Sequence, residues 1–195
     1  MASTCNRPYS NKLGDHKIKL IWLALYYGLA IHLPGSYSFM GKLFRAKAIR
    51  YALCRRIFLK CGKNVNIEHG CNFGSGLEIE IGDNSGMGID CTLPSNVKIG
   101  DNVMMGPKCF FLAFNHAYKD KSKSIQSQGY TDKKIIRIGN DVWIGREVLF
   151  TPGRIVKDGT VIAARTVVCK DFASYSVIGG NPARSVSYTH LRAHE

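Results

Sequence analysis

Apolar residues recur at every sixth position through most of this 195-residue chain, with polar residues and glycines between them. A six-residue period is too short for a helical solenoid. It is typical of a solenoid in which each repeat forms one short strand and a corner. Two long series and a shorter one, offset by two residues, are Ile81, Met87, Leu93, Ile99, Met105 and Phe111; Ile138, Ile144, Phe150, Val156, Ile162 and Val168; and Ile67, Phe73 and Ile79.

Glycine often follows directly after the apolar residue, and this placement gives the phase of the repeat. A residue type needed at one place in many repeats indicates a backbone requirement, here a tight corner. We therefore predict that three repeats form one triangular coil and that the coils stack as parallel strands around an apolar interior. The glycines are Gly74, Gly82, Gly88, Gly100, Gly106, Gly139 and Gly145.

The repeat is interrupted by a 24-residue segment, from Leu112 to about Ile135. Because the coils before and after this segment keep their phase, we predict an excursion loop and not a boundary between domains. A long structureless loop inside a repeat array is usually functional. The loop is basic, with lysines at Lys119, Lys121, Lys123, Lys133 and Lys134.

The sequence before the repeat predicts two helices. Residues 18–33 suit one helix, which Pro34-Gly35 ends, and a second is predicted from about Ser38 to Lys60. The polar segment before them is expected to be mobile. The last residues continue no pattern, and we interpret them as a non-native tail that resembles translated adapter sequence. The predicted domains are 1–17, the mobile N-terminus; 18–61, the helical region; 62–186, the β-helix with its loop at 112–135; and 187–195, the tail.

Two interpretations of the basic helical region stay open. A solenoid must cover its open ends, so the helices are expected to form a cap with a solvated basic face. The same pattern suits attachment to an anionic membrane surface. The cations are Lys42, Arg45, Lys47, Arg50, Arg55, Arg56 and Lys60.

The composition of the chain limits the classes of binding partner and the cellular compartment that we expect. The net charge of +13 favours phosphorylated ligands, polyanions or anionic membranes, and no nucleic-acid-binding signature accompanies it. Seven cysteines, an odd number without a C-x-x-C pair, indicate reduced thiols in a cytoplasmic protein. The apolar stretch from Leu20 to Leu33 is too short to span a bilayer, and no signal-peptide cleavage site follows it. A membrane-bound form is expected at the inner face of the membrane.

Four motifs in the second half of the chain point to one family. They are Gly139-Asn140-Asp141-Val142-Trp143-Ile144-Gly145, Thr151-Pro152-Gly153, Lys170-Asp171 and Gly179-Gly180-Asn181-Pro182-Ala183-Arg184. Together they resemble the hexapeptide-repeat acyltransferases, and most nearly the galactoside, maltose and polysaccharide O-acetyltransferases. The resemblance covers roughly residues 62–186. It implies a left-handed parallel β-helix, a homotrimer with active sites between subunits, and acetyl-coenzyme A as co-substrate without a required metal.

The resemblance also implies a general base at the start of the excursion loop, where this chain has Asn115-His116. A hydroxyl is a poor nucleophile at neutral pH, and a neutral imidazole within hydrogen-bond reach can take its proton. His116 is therefore the predicted catalytic residue. His69, the other histidine of the repeat region, is interpreted as a corner residue.

Five residues are implied on the donor side. By resemblance, Trp143 packs beside the pantetheine arm, while the backbones of Ala164 and Cys169 line the same groove. Lys170 and Arg184 match basic positions near the nucleotide phosphates, where cations favour the ligand. The alternatives are a coil-face tryptophan and two solvated charges.

The chain departs from the family pattern at a few positions near this groove. Ala163 and Arg165 occupy corners where relatives usually carry glycine, and Arg154 and Lys157 replace residues that are more often apolar or glycine. These departures affect the expected geometry of the donor groove and leave the predicted fold unchanged.

The acceptor side is less defined. Ser85 and Asp90 are the nearest candidates on the coil before His116, and Asn115 is a third. Ser85 and Asp90 could equally be turn residues.

The predicted function is an acetyl-coenzyme A-dependent O-acetyltransferase acting on a sugar or a surface-polysaccharide precursor. The same scaffold with another acceptor, such as serine, an aminosugar or an antibiotic, is an alternative. A zinc enzyme of the γ-carbonic anhydrase type would need three histidine ligands, whereas the coils offer only His69 and His116. A non-catalytic β-helix scaffold is the remaining alternative.

Overall fold

Two-residue strands follow one another along the repeat array in a computed structural model that describes residues 13–188. Residues 1–12 of the predicted mobile segment and residues 189–195 of the predicted tail lie outside the described residues. The helices are α1 (Leu13–Gly28), α2 (Phe39–Leu43) and α3 (Ala46–Ile57), and a 3-10 turn spans Ala30–His32.

The strands, in chain order, are β1 (Lys60–Cys61), β2 (Asn66–Ile67), β3 (Glu80–Ile81), β4 (Gly86–Met87), β5 (Lys98–Ile99), β6 (Met104–Met105), β7 (Phe110–Phe111), β8 (Arg137–Ile138), β9 (Trp143–Ile144), β10 (Leu149–Phe150), β11 (Ile155–Val156), β12 (Val161–Ile162), β13 (Val167–Val168), β14 (Ser176–Gly179) and β15 (Arg184–Tyr188).

The strands stack in parallel on three faces of a prism. The first face is β1, β3, β5, β8 and β11. The second is β2, β4, β6, β9, β12 and β14, with β15 added in antiparallel orientation. The third is β7, β10 and β13, which Asn72 and Thr92 extend toward the first coil. This is a β-helix of about six turns, and it confirms the predicted left-handed β-helix fold.

The predicted inward positions form the core. Ile81, Ile99 and Ile138 stack in register on the first face, and all three are buried. On the third face the rings of Phe111 and Phe150 stack with centroids 4.3 Å apart. One apolar side chain per strand therefore fills the interior, as the six-residue period predicts.

A second buried row lies two residues before the first. It includes small polar side chains, which turn toward the backbone of the corners. The hydroxyl of Thr166, for example, donates to the carbonyl of Ala163 at 2.7 Å. Cysteines stack in this row, where burial raises the pKa of the Cys71 thiol. Of the six cysteines among the described residues, all are unpaired, and Cys169 is the exposed one.

The helices cover the first coil. The Tyr26 hydroxyl donates to the carbonyl of Cys71 at 2.7 Å, and its ring lies 4.5 Å from the ring of Phe73. The ring of Phe58 meets Phe73 from the other side at 4.9 Å. The helices therefore cap the coil, and none of them, within residues 13–188, is long and apolar enough to cross a bilayer.

The predicted second helix is two helices. Arg45 adopts a left-handed backbone conformation with φ of 52°, which ends α2 and starts α3. The serine Ser38 caps α2 by accepting a hydrogen bond from the N–H of Gly41. The continuous apolar stripe in the sequence did not reveal this break, because Arg45 is not a residue type that usually marks one.

A buried arginine joins the cap to the coil. The Arg50 side chain is inaccessible to solvent, and its Nε donates to the carbonyl of Ile67 at 2.6 Å. Its Nη1 reaches the carbonyl of Leu33 at 3.0 Å. Its Nη2 donates to the Ser36 hydroxyl at 2.9 Å and lies 3.7 Å from the Glu68 carboxylate. One side chain therefore holds the interhelical segment, α3 and the first coil together.

The pKa of Glu68 makes the stability of the protein depend on pH in the acidic range. Burial raises the pKa, but hydrogen bonds from Ser36, Asn66 and the N–H of His69 outweigh burial and lower it. A carboxylate with a lowered pKa stabilises the fold above its unfolded-state pKa, and the contribution is lost as pH falls through the folded-state pKa.

We therefore expect the free energy of unfolding to fall as the pH drops below about 4.5, the ordinary glutamate value. The variant Glu68→Gln should show a shallower decline, because it has no proton to bind. Urea denaturation over a series of acidic pH values measures both slopes. The variant Glu78→Gln, at an exposed glutamate, is the control and should keep the wild-type slope. A wild-type slope in Glu68→Gln would contradict the proposed contribution of Glu68 to acid stability.

Candidate active site

The excursion loop is an ordered hairpin, which corrects the structureless loop expected from the sequence. Its two limbs pair through hydrogen bonds from the N–H of Lys134 to Ala113, of Thr131 to Asn115 and of Ala117 to Gly129, at 2.8, 2.8 and 3.0 Å. A 3-10 turn, Ile125–Gln128, closes the far end. The pairing joins residues 12 or more positions apart, so no local sequence pattern indicates it.

His116 lies on the stem of this hairpin. It forms an antiparallel bridge with Tyr130, and the two rings lie 4.5 Å apart with a tilt of 35°. Phe114 packs edge-on against the same tyrosine at 5.0 Å. Among the described residues, neither nitrogen of the exposed His116 ring has a hydrogen-bond partner. Paired backbone and stacked aromatics therefore position an imidazole whose nitrogens remain available.

Asn115 is placed by its backbone. Its N–H donates to the Thr131 hydroxyl at 3.0 Å, and its carbonyl accepts from the N–H of Thr131 at 2.8 Å. The side chain is exposed beside His116. The structure therefore keeps Asn115 next to the predicted base.

Trp143 lies on the second face of the coil, where 55% of its surface is exposed. It stacks between Met104 below and Val161 above in register. Ala164 lies at the adjoining corner, directly above Gly145. A Cβ at Gly145 would lie 2.6 Å from the Ala164 nitrogen, so this corner requires glycine. The predicted pair Trp143 and Ala164 thus belongs to neighbouring coils at one corner.

Three further predicted donor residues line one cavity at the C-terminal end of the coil. Cys169, Lys170 and Arg184 surround about 590 Å³ of space, together with Phe172 and Pro182. The Lys170 ammonium lies 5.3 Å over the Phe172 ring, which positions it without neutralising it. The structure therefore brings two cations and the exposed cysteine together.

Ser85 and Asp90 are used by the coil itself. The buried Ser85 hydroxyl donates to the carbonyl of Gly100 at 2.7 Å and accepts from the N–H of Val103 at 2.9 Å. Asp90 forms a corner with φ of 54°. These placements favour the turn interpretation for both residues, and their contact with an acceptor stays a prediction.

A further cavity lies on the second face near the cap, and the predicted acceptor residue Ser85 is among the residues that line it. It encloses about 370 Å³, and Tyr37, Lys47, Asn66 and Glu68 are among the residues that line it. Met104, the register partner of Trp143, also lines it. The sequence also held a signal for this cavity in Glu68, which is the first acidic residue after Asp15.

His116 and Trp143 lie on different sides of one chain, whereas Cys169 and Lys170 follow the third face, from which the hairpin also leaves. The hairpin leaves the coil after the third face, whereas Trp143 lies on the second. Within residues 13–188, no group of three or more histidine, cysteine, aspartate and glutamate side chains is placed to hold a metal ion.

Comparison with known proteins identifies the family. The chain is 32% identical to the galactoside O-acetyltransferase of Escherichia coli (strain K12) over 139 residues, which cover 70% of this chain and 67% of that protein. The chain belongs to the hexapeptide-repeat acetyltransferases. A solved galactoside acetyltransferase in complex with coenzyme A superposes with a TM-score of 0.71 at 27% identity, covering 92% of this chain and 84% of that one. No family model matches the chain.

Another relative is named for a different acceptor. The chain is 47% identical to a chloramphenicol acetyltransferase of Agrobacterium fabrum (strain C58 / ATCC 33970) over 60 residues. That match covers 31% of this chain and 29% of the relative, so it concerns only part of either protein. The predicted family and the acyltransferase class are confirmed, and the acceptor is left open by these names.

Two departures from the family pattern have structural roles in this acetyltransferase. Arg165 donates from Nε to Glu147 at 2.8 Å across neighbouring corners. Arg154 donates to the carbonyls of Pro152 and Cys169 and lies 3.5 Å from Asp171. Both arginines therefore join adjacent turns of the coil. Nothing in the structure explains the lysine at position 157.

Proposed function

We propose that this protein transfers an acetyl group from acetyl-coenzyme A to a hydroxyl of a sugar or a surface-polysaccharide precursor. The observation that carries the proposal is His116, which the hairpin holds outside the coil with both ring nitrogens available. The enzyme class follows from the family, and the chemistry at His116 is what a hydroxyl acceptor needs.

In the proposed reaction His116 is the general base. Its neutral imidazole takes the proton of the acceptor hydroxyl as the oxygen attacks the thioester carbonyl carbon. The carbon–sulfur bond then breaks, the acetyl group stays on the acceptor oxygen, and the imidazolium returns its proton to the leaving thiolate. The products are an O-acetyl ester and free coenzyme A. No covalent enzyme intermediate is required, because alignment of the two substrates suffices.

The active protein is proposed to be a homotrimer with its active sites between subunits. Within one chain, His116 and the residues around Trp143 lie on different faces, so a second subunit is needed to bring the two groups together. Exposed outward apolar side chains offer contact surface for this packing, at Met104, Phe110 and Trp143. The reduced thiols favour a cytoplasmic location.

The polar side chains of the cavity near the cap support a sugar acceptor. Tyr37, Lys47, Asn66 and Glu68 offer both donors and acceptors of hydrogen bonds, which suits a ligand rich in hydroxyls. The galactoside O-acetyltransferase relative is named for such an acceptor. The partial match to a chloramphenicol acetyltransferase supports an antibiotic as the second candidate acceptor.

The variant His116→Ala should lower kcat at least a hundredfold, because a general base typically contributes about 10²–10⁴ to the rate. The measurement is release of free thiol from acetyl-coenzyme A with saturating acceptor. His69→Ala is the matched control, since His69 faces the Leu33 carbonyl at 3.0 Å in the cap, and it should stay within about threefold of wild type. Near-normal turnover of a folded His116→Ala protein would refute the assignment.

Neutralising both Lys170 and Arg184 to glutamine should raise the Kd for coenzyme A at least tenfold. Each cation is proposed to meet a phosphate, and hydrogen bonds to charged groups contribute about 1.5–3 kcal/mol. Isothermal titration calorimetry gives the affinity. A control with Lys60→Gln and Lys63→Gln removes the same charge at the other end of the coil. Equal affinities for the two double variants would show that only net charge acts.

The acceptor class can be settled by one transfer assay. Galactosides, maltose, oligosaccharides, aminosugars, serine and chloramphenicol are each supplied with acetyl-coenzyme A, and free thiol is measured. We expect a sugar hydroxyl to give the highest kcat/KM. A higher value for chloramphenicol or an amine would replace the sugar acceptor, while binding of acetyl-coenzyme A without transfer to any acceptor would favour a scaffold.

A further inference from the structure

The outward side of α1 is apolar, which is the reverse of the usual pattern for a helix on a protein surface. Its exposed positions are spaced by one, four, five, eight and nine residues, so they form a single stripe. The opposite side of α1 already packs on the coil through Tyr26 and Tyr27. We define the α1 stripe as Leu20, Ile21, Ala24, Leu25, Gly28 and Leu29.

The exposure of the α1 stripe is large. Leu20, Ile21 and Leu29 each leave between 58% and 59% of their surface accessible, and Leu25 leaves 42%. A helix that is apolar on all sides is normally buried in a protein or in a lipid environment. Contiguous exposed apolar surface of this kind marks an interaction site.

The short helix α2 also has an exposed apolar stripe. We define the α2 stripe as Phe39, Met40, Leu43 and Phe44, which follow the same one-, four- and five-residue spacing. Phe39 is 80% exposed and Leu43 is 62% exposed, and Tyr37 just before them is 74% exposed. Large aromatic and aliphatic side chains therefore point to solvent from two elements of the same cap.

Cations accompany the α2 stripe. Lys42, Arg45 and Lys47 line a cavity of about 480 Å³ between α2, α3 and the first coil. Lys47 bonds to the Asn64 side chain at 3.2 Å, whereas Lys42 and Arg45 make no ion pair with any carboxylate of residues 19–186. The cavity can accept an anionic group that lies next to apolar surface.

The surrounding sequence contains no compensating negative charge. No aspartate or glutamate occurs between Asp15 and Glu68, a stretch that includes all of α2 and α3. The ten cations of this stretch are Lys17, Lys19, Lys42, Arg45, Lys47, Arg50, Arg55, Arg56, Lys60 and Lys63. A second copy of the cap would oppose like charges, so self-association through this surface is disfavoured.

We propose that the helical cap docks on an anionic phospholipid surface. The α1 and α2 stripes enter the boundary between headgroups and acyl chains, and Lys42 and Arg45 face lipid phosphates. Apolar stripes beside unpaired cations are the combination that binds helices in the plane of an anionic bilayer. This docking goes beyond the transfer reaction, because it locates the enzyme and leaves the proposed role of His116 unchanged.

The full-length protein should cosediment with vesicles that contain phosphatidylglycerol and should bind pure phosphatidylcholine at least tenfold more weakly. Binding should weaken as salt rises, because exposed charges are screened. Neutralising Lys42 and Arg45 to glutamine should lower the partition coefficient about fivefold for each cation lost. The control Lys119→Gln with Lys121→Gln removes two loop charges and should bind like wild type.

The contribution of the apolar stripes to vesicle binding is tested by a matched pair of substitutions. Ile21→Glu and Ile125→Glu replace isoleucines that are 58% and 59% exposed, one on the α1 stripe and one at the hairpin tip. Ile21→Glu should reduce vesicle binding at least tenfold, while Ile125→Glu should stay near wild type. Leu43→Glu tests the α2 stripe in the same way. Circular dichroism and thermal melting confirm that each variant is folded.

Three results would overturn the proposal. The first is no binding of the wild-type protein to anionic vesicles at low salt. The second is equal binding by Ile21→Glu, Leu43→Glu and Ile125→Glu, which would leave net charge as the cause. The third is a smaller assembly of Ile21→Glu in analytical ultracentrifugation, which would show that another copy covers the stripe. Loss of binding by an apolar variant, with Ile125→Glu unaffected, supports docking.

Discussion

The narrow interior of the coil is the constraint on which the rest of the structure depends. Each two-residue strand directs one large side chain into one continuous apolar core, where it packs against the coils above and below, as Phe111 packs against Phe150. Because interiors are close-packed, deleting a large apolar residue leaves a cavity and costs about 2–5 kcal/mol. The inner row is therefore confined to apolar residues, while the outer positions can carry function.

A stack of coils also has open ends, and this chain closes its first coil with a buried charge. Arg50 donates to the buried carbonyl of Ile67 and to the carbonyl of Leu33, which the His69 ring also faces at 3.0 Å. Glu68 balances its charge at 3.7 Å. Removing one member of such a pair costs about 3–5 kcal/mol, since the other is left buried and charged. Arginine suits the position because its fixed fork reaches several acceptors at once.

Prediction from sequence succeeded where structure depends on local spacing. The inner row from Ile81 to Phe111 and its return at Ile138 follow directly from the period, and the offset of the first coil reflects a longer corner around Gly74 and Gly76. It failed where contacts join distant residues. The pairing of Asn115 with Thr131 has no local signature, and neither does the contact of Arg50 with Glu68.

The predicted site residues also divide into those that the sequence could place and those that it could not. The resemblance to the family predicted Trp143, Ala164, Cys169, Lys170 and Arg184 as donor residues. The structure places Ala164 above the corner that follows Trp143, and the last three around one cavity. Spacing could not show that Ser85 turns inward, since a hydroxyl is compatible with either direction. The regular coil thus carries most of the predicted donor residues, whereas the hairpin and the cap, which interrupt or precede the repeat, carry the predicted base His116 and the exposed apolar stripes.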